Sequence, residues 1–323
     1  MIAKPENQKS KPGVFVFVPS YNHAAFVERC LKSIIKQTFQ PAKLLVIDDG
    51  SRDDSQQIIE RVLQNCPFPA EFIARPNRGL SATLNEGFAK SFGKYFAYLG
   101  SDDVWLPEFL MNRVEMLEKR LNAVLAYGHA FSIDAENRVI DCTTDWAQFQ
   151  DGDVREWILR GGSPLSPTVV YRRAAIADLR WNEQARLEDY EFYLRLSERG
   201  EFAFDAEILA GWRQHGENAS DDLKMMLDEI LAAQSRVAAE KNLNPRQLEK
   251  SQTEIKLLYA ENFARRGFRA ESFRLWRENS SKTSFARPLL RNFIRLLTPH
   301  FLVNWRQNKR KQKFIRKYGR LEV

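Results

Sequence analysis

The sequence predicts an α/β protein, with a Rossmann-like half built on a central, mostly parallel sheet and a C-terminal helical extension. Three observations predict it. Short apolar runs alternate with segments of helical spacing through the first hundred residues. Several of those runs end in polar, carboxylate-rich clusters. Beyond Asp221 the pattern is helical throughout.

The first run, Val14, Phe15, Val16, Phe17 and Val18, is continuously apolar and stops at Pro19, as a strand buried on both faces does. Phe26, Cys30, Leu31, Ile34 and Ile35 follow at helical spacing, with Asn22 as the expected cap. A second strand over 44–47 ends at Asp48, Asp49, Gly50 and Ser51. Ser51 or Asp53 is the expected cap of the helix carrying Ile58, Ile59, Val62 and Leu63. A third strand, 71–74, leads to a turn and helix start at Asn77, Gly79 and Ser81. A fourth, 95–99, ends at Gly100, Ser101, Asp102 and Asp103. Ligands of open α/β sheets bind beyond the carboxyl ends of the strands, so these polar ends are expected to meet in one crevice.

The middle is less regular. Residues 124–131 and 168–171 read as strands, 154–159 as a short helix, and Gly161, Gly162, Ser163 and Pro164 as a loop. Residues 189–198, 221–241 and 247–277 read as helices. The expected organisation is a flexible lead-in over 1–12, an α/β domain over 13–220, a helical extension over 221–280 and a basic amphipathic tail over 281–323.

Composition narrows the classes. The chain has 323 residues, 44% of them hydrophobic, enough for one large core with an appended helical part. No apolar run approaches the ~18 residues of a membrane span, and residues 1–12 lack the apolar centre of a signal peptide. Cys30, Cys66 and Cys142 form no paired framework, which fits a reducing cytoplasm. The tail holds twelve Lys and Arg against Glu322, a net +11, while the rest of the +7 chain is at −4. A negatively charged partner is therefore expected at the tail. There Phe301, Leu302 and Trp305 precede Arg306, Lys309, Arg310, Lys311, Lys313, Arg316, Lys317 and Arg320. Such a segment suits an anionic bilayer surface; the alternative is a helix docked on the body. No nucleic-acid-reading motif is present, so nucleic acid is not an expected partner.

Adjacent Asp102 and Asp103 after an apolar strand suit Mg2+ or Mn2+ beside phosphates, or else a helix cap. A GxxxxGK[ST] phosphate loop is missing, and no GxGxxG follows the first strand. Phosphate charge would then fall to a metal or to basic side chains.

The pieces in order resemble one family closely. They are Val18-Pro19-Ser20-Tyr21-Asn22, Ser33 to Gln37-Thr38, Val46-Ile47-Asp48-Asp49-Gly50-Ser51 and Asn77-Arg78-Gly79-Leu80-Ser81. Asn85-Glu86-Gly87 and Gly100-Ser101-Asp102-Asp103 follow, then Leu187-Glu188-Asp189-Tyr190 and Trp212-Arg213-Gln214-His215. Over residues 13–220 the chain resembles family 2 of the inverting nucleotide-sugar glycosyltransferases, with the GT-A fold. The resemblance implies that Pro19, Tyr21, Asp48 and Asp49 hold the nucleotide, with Asp102 beside it. It implies Asp102, Asp103 and His215 around Mn2+ or Mg2+, and Glu188 and Arg213 near the donor sugar or phosphate. Asn218 and Ser220 complete the histidine's pattern. Asp189 is implied as the base that takes the acceptor's proton; read alone, Glu188-Asp189 is a helix cap with a first-turn acid. Ser163 and Trp181 fall where this family shapes the acceptor side, and Trp146 and Trp157 are further aromatic candidates there.

The implied reaction uses a UDP-sugar and a glycan or lipid-linked acceptor of a bacterial-type surface polysaccharide. A dTDP- or GDP-sugar is the alternative donor. At Gly100 the family usually has aspartate. That departure keeps open a weakened or inactive nucleotide- or glycan-binding protein.

Overall fold

A computed structural model of the chain describes residues 13–216, 221–282, 295 and 298–322. The expected lead-in, Asn218 and Ser220, and most of the apolar spacing at 289–297 lie outside them.

Among the described residues, nine strands form one sheet. β1 (Val14–Ser20), β2 (Lys43–Asp48), β3 (Ala70–Ala74) and β4 (Tyr95–Tyr98) run parallel in the order β3-β2-β1-β4. Each crosses over through a helix: α1 (Val27–Ile35), α2 (Ser55–Leu63) and α3 (Leu80–Ala89). Every residue of β1 and β4 is buried, which explains the unbroken apolar runs. Past β4 the order continues through β8 (Val170–Arg172), β6 (Ala123–Ile133), β9 (Glu201–Arg213) and β5 (Val104–Trp105), with β7 (Val139–Cys142) on the other edge of β6. β8 is antiparallel to both neighbours, whereas β6 and β9 are parallel. This is the mixed architecture, with a parallel first half, that the resemblance to the GT-A fold implies.

α4 (Phe109–Lys119), α5 (Arg155–Leu159) and α6 (Glu188–Leu196) cover the second half. α7 (Leu223–Lys241), α8 (Pro245–Arg265) and α9 (Arg269–Asn279) follow. Leu227, Ile230, Val237, Ile255, Tyr259, Phe263 and Leu275 belong to the same core as Phe15, Tyr98 and Tyr190. The three helices therefore share the sheet's core. Gln234 Nε2 donates to Leu159 O and to Tyr190 Oη (3.2 Å), and Tyr190 Oη donates to Ile158 O at 2.7 Å. The helical extension thus backs α6.

Two local expectations are corrected, and one strand was not expected. Asn22 does not cap α1. It stands at φ 53°, its Oδ1 accepts Arg52 N–H at 2.9 Å, and α1 begins after Phe26 without a side-chain cap. Asp53 serves the turn before α2: its carboxylate accepts the N–H groups of Ser55 and Ala24. Residues 201–213 form the 13-residue strand β9, which the apolar pattern did not signal because Asp205, Ala206 and Glu207 interrupt it.

The last helix, α10 (His300–Tyr318), docks on the body. Phe314 is buried with Val104, Phe131, Ile133 and Val139, and Arg310 Nη2 donates to Asp141 at 2.7 Å. Its other side exposes Phe301, Trp305, Arg306, Lys309, Lys313, Arg316 and Lys317. Among the described residues, no helix is long and apolar enough to cross a membrane.

Candidate active site

The carboxyl ends of β1, β2, β4 and β9 and the start of α6 carry the polar clusters. The β2 end is stitched from within. Asp48 is fully buried; it accepts Ser51 N–H (2.9 Å), Ser51 Oγ–H (2.5 Å) and Gln56 Nε2–H (2.8 Å). Asp49 accepts Arg78 N–H (2.9 Å) and Gly79 N–H (2.8 Å) and pairs with Arg75, which also pairs with Glu86 at 3.0 Å. Gly50 allows this closeness. Its φ is +81°, and a Cβ there would stand 2.8 Å from Asn77 N. Both aspartates thus order the β2 and β3 loops with the acceptor sites described. Pro19 is buried within β1, and Tyr21 is 43% exposed at the mouth.

The β4 end is held by residues of the early motifs. Ser33 Oγ accepts Trp105 N–H (3.1 Å). Gln37 donates to Leu106 O (2.7 Å) and accepts Leu110 N–H (3.0 Å). Trp105 Nε1–H reaches Pro167 O at 2.7 Å. The Asp102-Asp103 turn therefore sits on a fixed frame.

The two aspartates point to different surroundings. Asp102 Oδ2 lies 3.0 Å from His215 Nε2, and Asp102 Oδ1 lies 3.9 Å from His23 Nδ1. Burial raises the Asp102 pKa, but the His215 hydrogen bond and the His23 ring outweigh it and leave the carboxyl below its ordinary value. Asp103 is buried and accepts Arg213 N–H at 2.7 Å. Burial, then the Asp102 charge, pushes it well above the usual range. One donor atom each from His23, Asp102 and His215 lies within 4.8 Å of the others. This nitrogen-and-oxygen donor set fits a divalent ion. Asp103, expected among the ligands, is turned onto the Arg213 backbone instead.

Arg213 was expected near phosphate. Its side chain is buried: Nε donates to Asp102 O, Nη1 to Asp134 O and Nη2 to Asn137 Oδ1, each at 2.6 Å. The guanidinium braces the ends of β4, β6 and β9, so its placement corrects the phosphate role.

The acid pair opens α6. Asp189 Oδ2 accepts Ser166 Oγ–H at 2.7 Å. Burial raises the Asp189 pKa, and the Ser166 hydrogen bond opposes that rise. Glu188 is pushed up to about 8 by burial and by the Asp189 charge beside it. Tyr98, at the end of β4, stacks on Tyr171, whose hydroxyl donates to that of Tyr193 on α6 at 3.2 Å, so α6 lies beside the strand that leads into Asp102. The Tyr98 hydroxyl is buried without a hydrogen-bond partner.

On the expected acceptor side, Trp181 is only 2% exposed and stacks on Phe192 at 4.2 Å with 3° between the planes. Asn85 clamps its backbone, accepting Trp181 N–H and donating to Trp181 O, both at 2.9 Å. Trp181 is a core residue, and stacking on a sugar is corrected on that ground. Ser163 is half-buried and donates to Pro164 O at 2.9 Å. Trp157 packs on Tyr127 and Phe149, and Trp146 is exposed. A cavity of about 470 Å³ behind α6, bounded by Glu156, Leu194, Ser197 and Lys241, contains none of the residues implied for the reaction. The sequence reading missed His23, Ser101 and Ser166. Tyr21-Asn22-His23 and the run Ser163 to Ser166 were the available signals.

The profile of glycosyl transferase family 2 matches residues 15–179. A chondroitin synthase of Escherichia coli is 29% identical over 213 residues, 66% of this chain and 30% of that protein. An uncharacterized glycosyltransferase of Nostoc is 29% identical over 167 residues, 50% of this chain and 52% of its own. The chain thus spans about half or less of these two curated relatives. Among solved structures, the mannosyltransferase PcManGT of Pyrobaculum calidifontis, in complex with GDP-Man and Mn2+, superposes with a TM-score of 0.61. It is 14% identical, and the match covers 96% of this chain and 88% of that one. S. aureus TarS 1–349 in complex with UDP-GlcNAc gives 0.56 at 16% identity, covering 96% and 93%. These likenesses show the fold.

Proposed function

The chain belongs to glycosyl transferase family 2, and on that premise we propose that it transfers a sugar, with inversion, from a UDP-sugar to a glycan or lipid-linked acceptor in surface polysaccharide synthesis. The observation that carries this reading is the pairing of two chemistries beside one strand. The β4 end offers Asp102 with His215, and α6 offers a half-buried carboxylate, Asp189, held by Ser166.

In this reading Tyr21 lies against the base, with Pro19, Asp48 and Asp49 forming the floor beneath it. A divalent ion, Mn2+ or Mg2+, held by Asp102 and His215, would offset the charge of the departing diphosphate. Asp189 accepts the proton of the acceptor hydroxyl as that oxygen bonds to the anomeric carbon. The bond from that carbon to the diphosphate oxygen breaks on the opposite face. Ser166 keeps the accepting oxygen oriented, and α7 keeps α6 in place. Burial and the neighbouring Asp189 push Glu188 up to about 8, so near neutral pH it can donate a hydrogen bond to the donor sugar. Likeness to chondroitin synthase and to TarS supports a hexosyl or N-acetylhexosaminyl donor. Likeness to a protein bound to GDP-Man supports a GDP-sugar as the second reading.

The exposed basic side of α10, with Phe301 and Trp305, is assigned to an anionic membrane surface, which would bring the enzyme to a lipid-linked acceptor. A thermal-shift panel of UDP-, dTDP- and GDP-sugars, with and without Mn2+, tests the donor assignment. A metal-enhanced rise in melting temperature with UDP-sugars is expected. No rise with any nucleotide sugar would overturn the proposal.

A further inference from the structure

We infer that His23 is a protein ligand of the divalent ion, completing a two-histidine, one-carboxylate site with Asp102 and His215. The inference rests on the proposed function and deepens it.

The loop that carries His23 is fixed from several sides. Asn22 N–H donates to Ser51 Oγ (2.8 Å), His23 N–H to Ser55 Oγ (3.0 Å) and Ala24 N–H to Asp53 Oδ2 (2.9 Å). His23 O accepts Phe26 N–H and Val27 N–H, each at 2.9 Å. The backbone thus holds the imidazole over the β4 end.

The ring itself is oriented. Its Nδ1 lies 2.7 Å from Ser101 Oγ, and its centroid is 5.7 Å from that of His215. Phe26 stacks on His215 at 5.2 Å and meets the His23 ring edge-on at 6.1 Å, so one phenyl ring walls both imidazoles. A metal bond of ~2.0–2.2 Å puts neighbouring ligand atoms roughly 3 Å apart. The Asp102–His215 pair already has that spacing, and one His23 ring nitrogen lies within 4.8 Å of both partners' donor atoms.

Gly100 and Asp103 explain why an imidazole is needed here. Gly100 supplies no carboxylate, and a Cβ at that position would come within 2.8 Å of Asp102 Oδ1. Asp103 is committed to the Arg213 N–H. The donor absent from the β4 turn is replaced from the β1 loop by nitrogen. Imidazole suits Mn2+ better than it suits Mg2+, so the site selects Mn2+.

Titration of Mn2+ alone into the full chain, followed by calorimetry and by pulsed EPR of the nitrogen-14 couplings, tests the inference. Two imidazole couplings are expected for the unaltered chain. His23→Ala should remove one coupling and weaken Mn2+ by roughly tenfold or more, with a smaller loss for Mg2+ and unchanged UDP affinity in EDTA. Ser101→Ala, which removes only the ring's hydrogen bond, should keep both couplings. A single coupling in the unaltered chain, or Mn2+ affinity in His23→Ala equal to it, overturns the ligand assignment alone. Failure of the unaltered chain to bind Mn2+ at all overturns the metal part of the proposed function with it.

Discussion

Ser166 Oγ donates to Asp189 Oδ2 across 2.7 Å, so a loop hydroxyl holds the carboxylate that opens α6. Burial raises the Asp189 pKa and this bond opposes the rise. A base works only when ionised, so activity is lost as pH falls through its pKa. Removing the bond leaves the pKa higher and moves that loss to higher pH. Ser166→Ala is therefore expected to shift the acid limb of kcat/KM upward while leaving the rate at alkaline pH nearly unchanged. The pH profile of UDP-sugar turnover checks this, and an unmoved limb counts against Asp189 as the titrating base.

Trp181 separates packing from recognition. Its ring is stacked on Phe192 and touches Phe88, Phe96 and Tyr98, while its Nε1–H is buried without a partner. Trp181→Ala should cost about 3–5 kcal/mol of stability. Trp181→Phe, which removes the unpaired N–H, should cost much less. Denaturant unfolding measures both, and a large change in acceptor KM at normal stability would restore the acceptor role.

Gly100→Ala adds only the Cβ that meets Asp102 Oδ1 at 2.8 Å. The carboxylate must then move from His215. Mn2+ affinity should fall roughly tenfold, an effect in the range of changes around a metal's supporting groups. Calorimetry reads it, and unchanged affinity would mean that Asp102 can shift without leaving the site.

The tail predicts a charge effect separable from folding. Lys309, Lys313 and Arg316 are exposed, whereas Phe314 and Arg310 hold α10 to the body. Reversing the three exposed charges to Glu should abolish co-sedimentation with vesicles containing phosphatidylserine, at about 1 kcal/mol per basic residue lost. UDP binding and melting temperature should hold. Truncating the whole tail would instead uncover Phe131 and Ile133, so it is the poorer test.

What the sequence made legible followed from burial. Strands covered on both faces read as unbroken apolar runs, and their polar ends marked the crevice. β9 escaped because Asp205 and Glu207 break its pattern and its register against β6 shifts near Gly128 and His129. Side-chain roles were less legible, since they depend on which atoms are already bonded. Asp103 and Arg213 carry the right chemistry for an ion and a phosphate, yet each is spent on the other's strand. His23 alone carried no signal in the sequence because its partners, Ser101, Asp102 and His215, are remote in the chain.

Asp189→Asn separates proton transfer from donor binding. The substitution keeps the shape and the Ser166 contact but cannot take a proton. Release of UDP from a UDP-sugar that the unaltered chain turns over, measured beside calorimetric donor affinity, is the test. The rate should fall about 10²–10⁴-fold with donor affinity preserved. Undiminished turnover in Asp189→Asn would contradict Asp189 as the base.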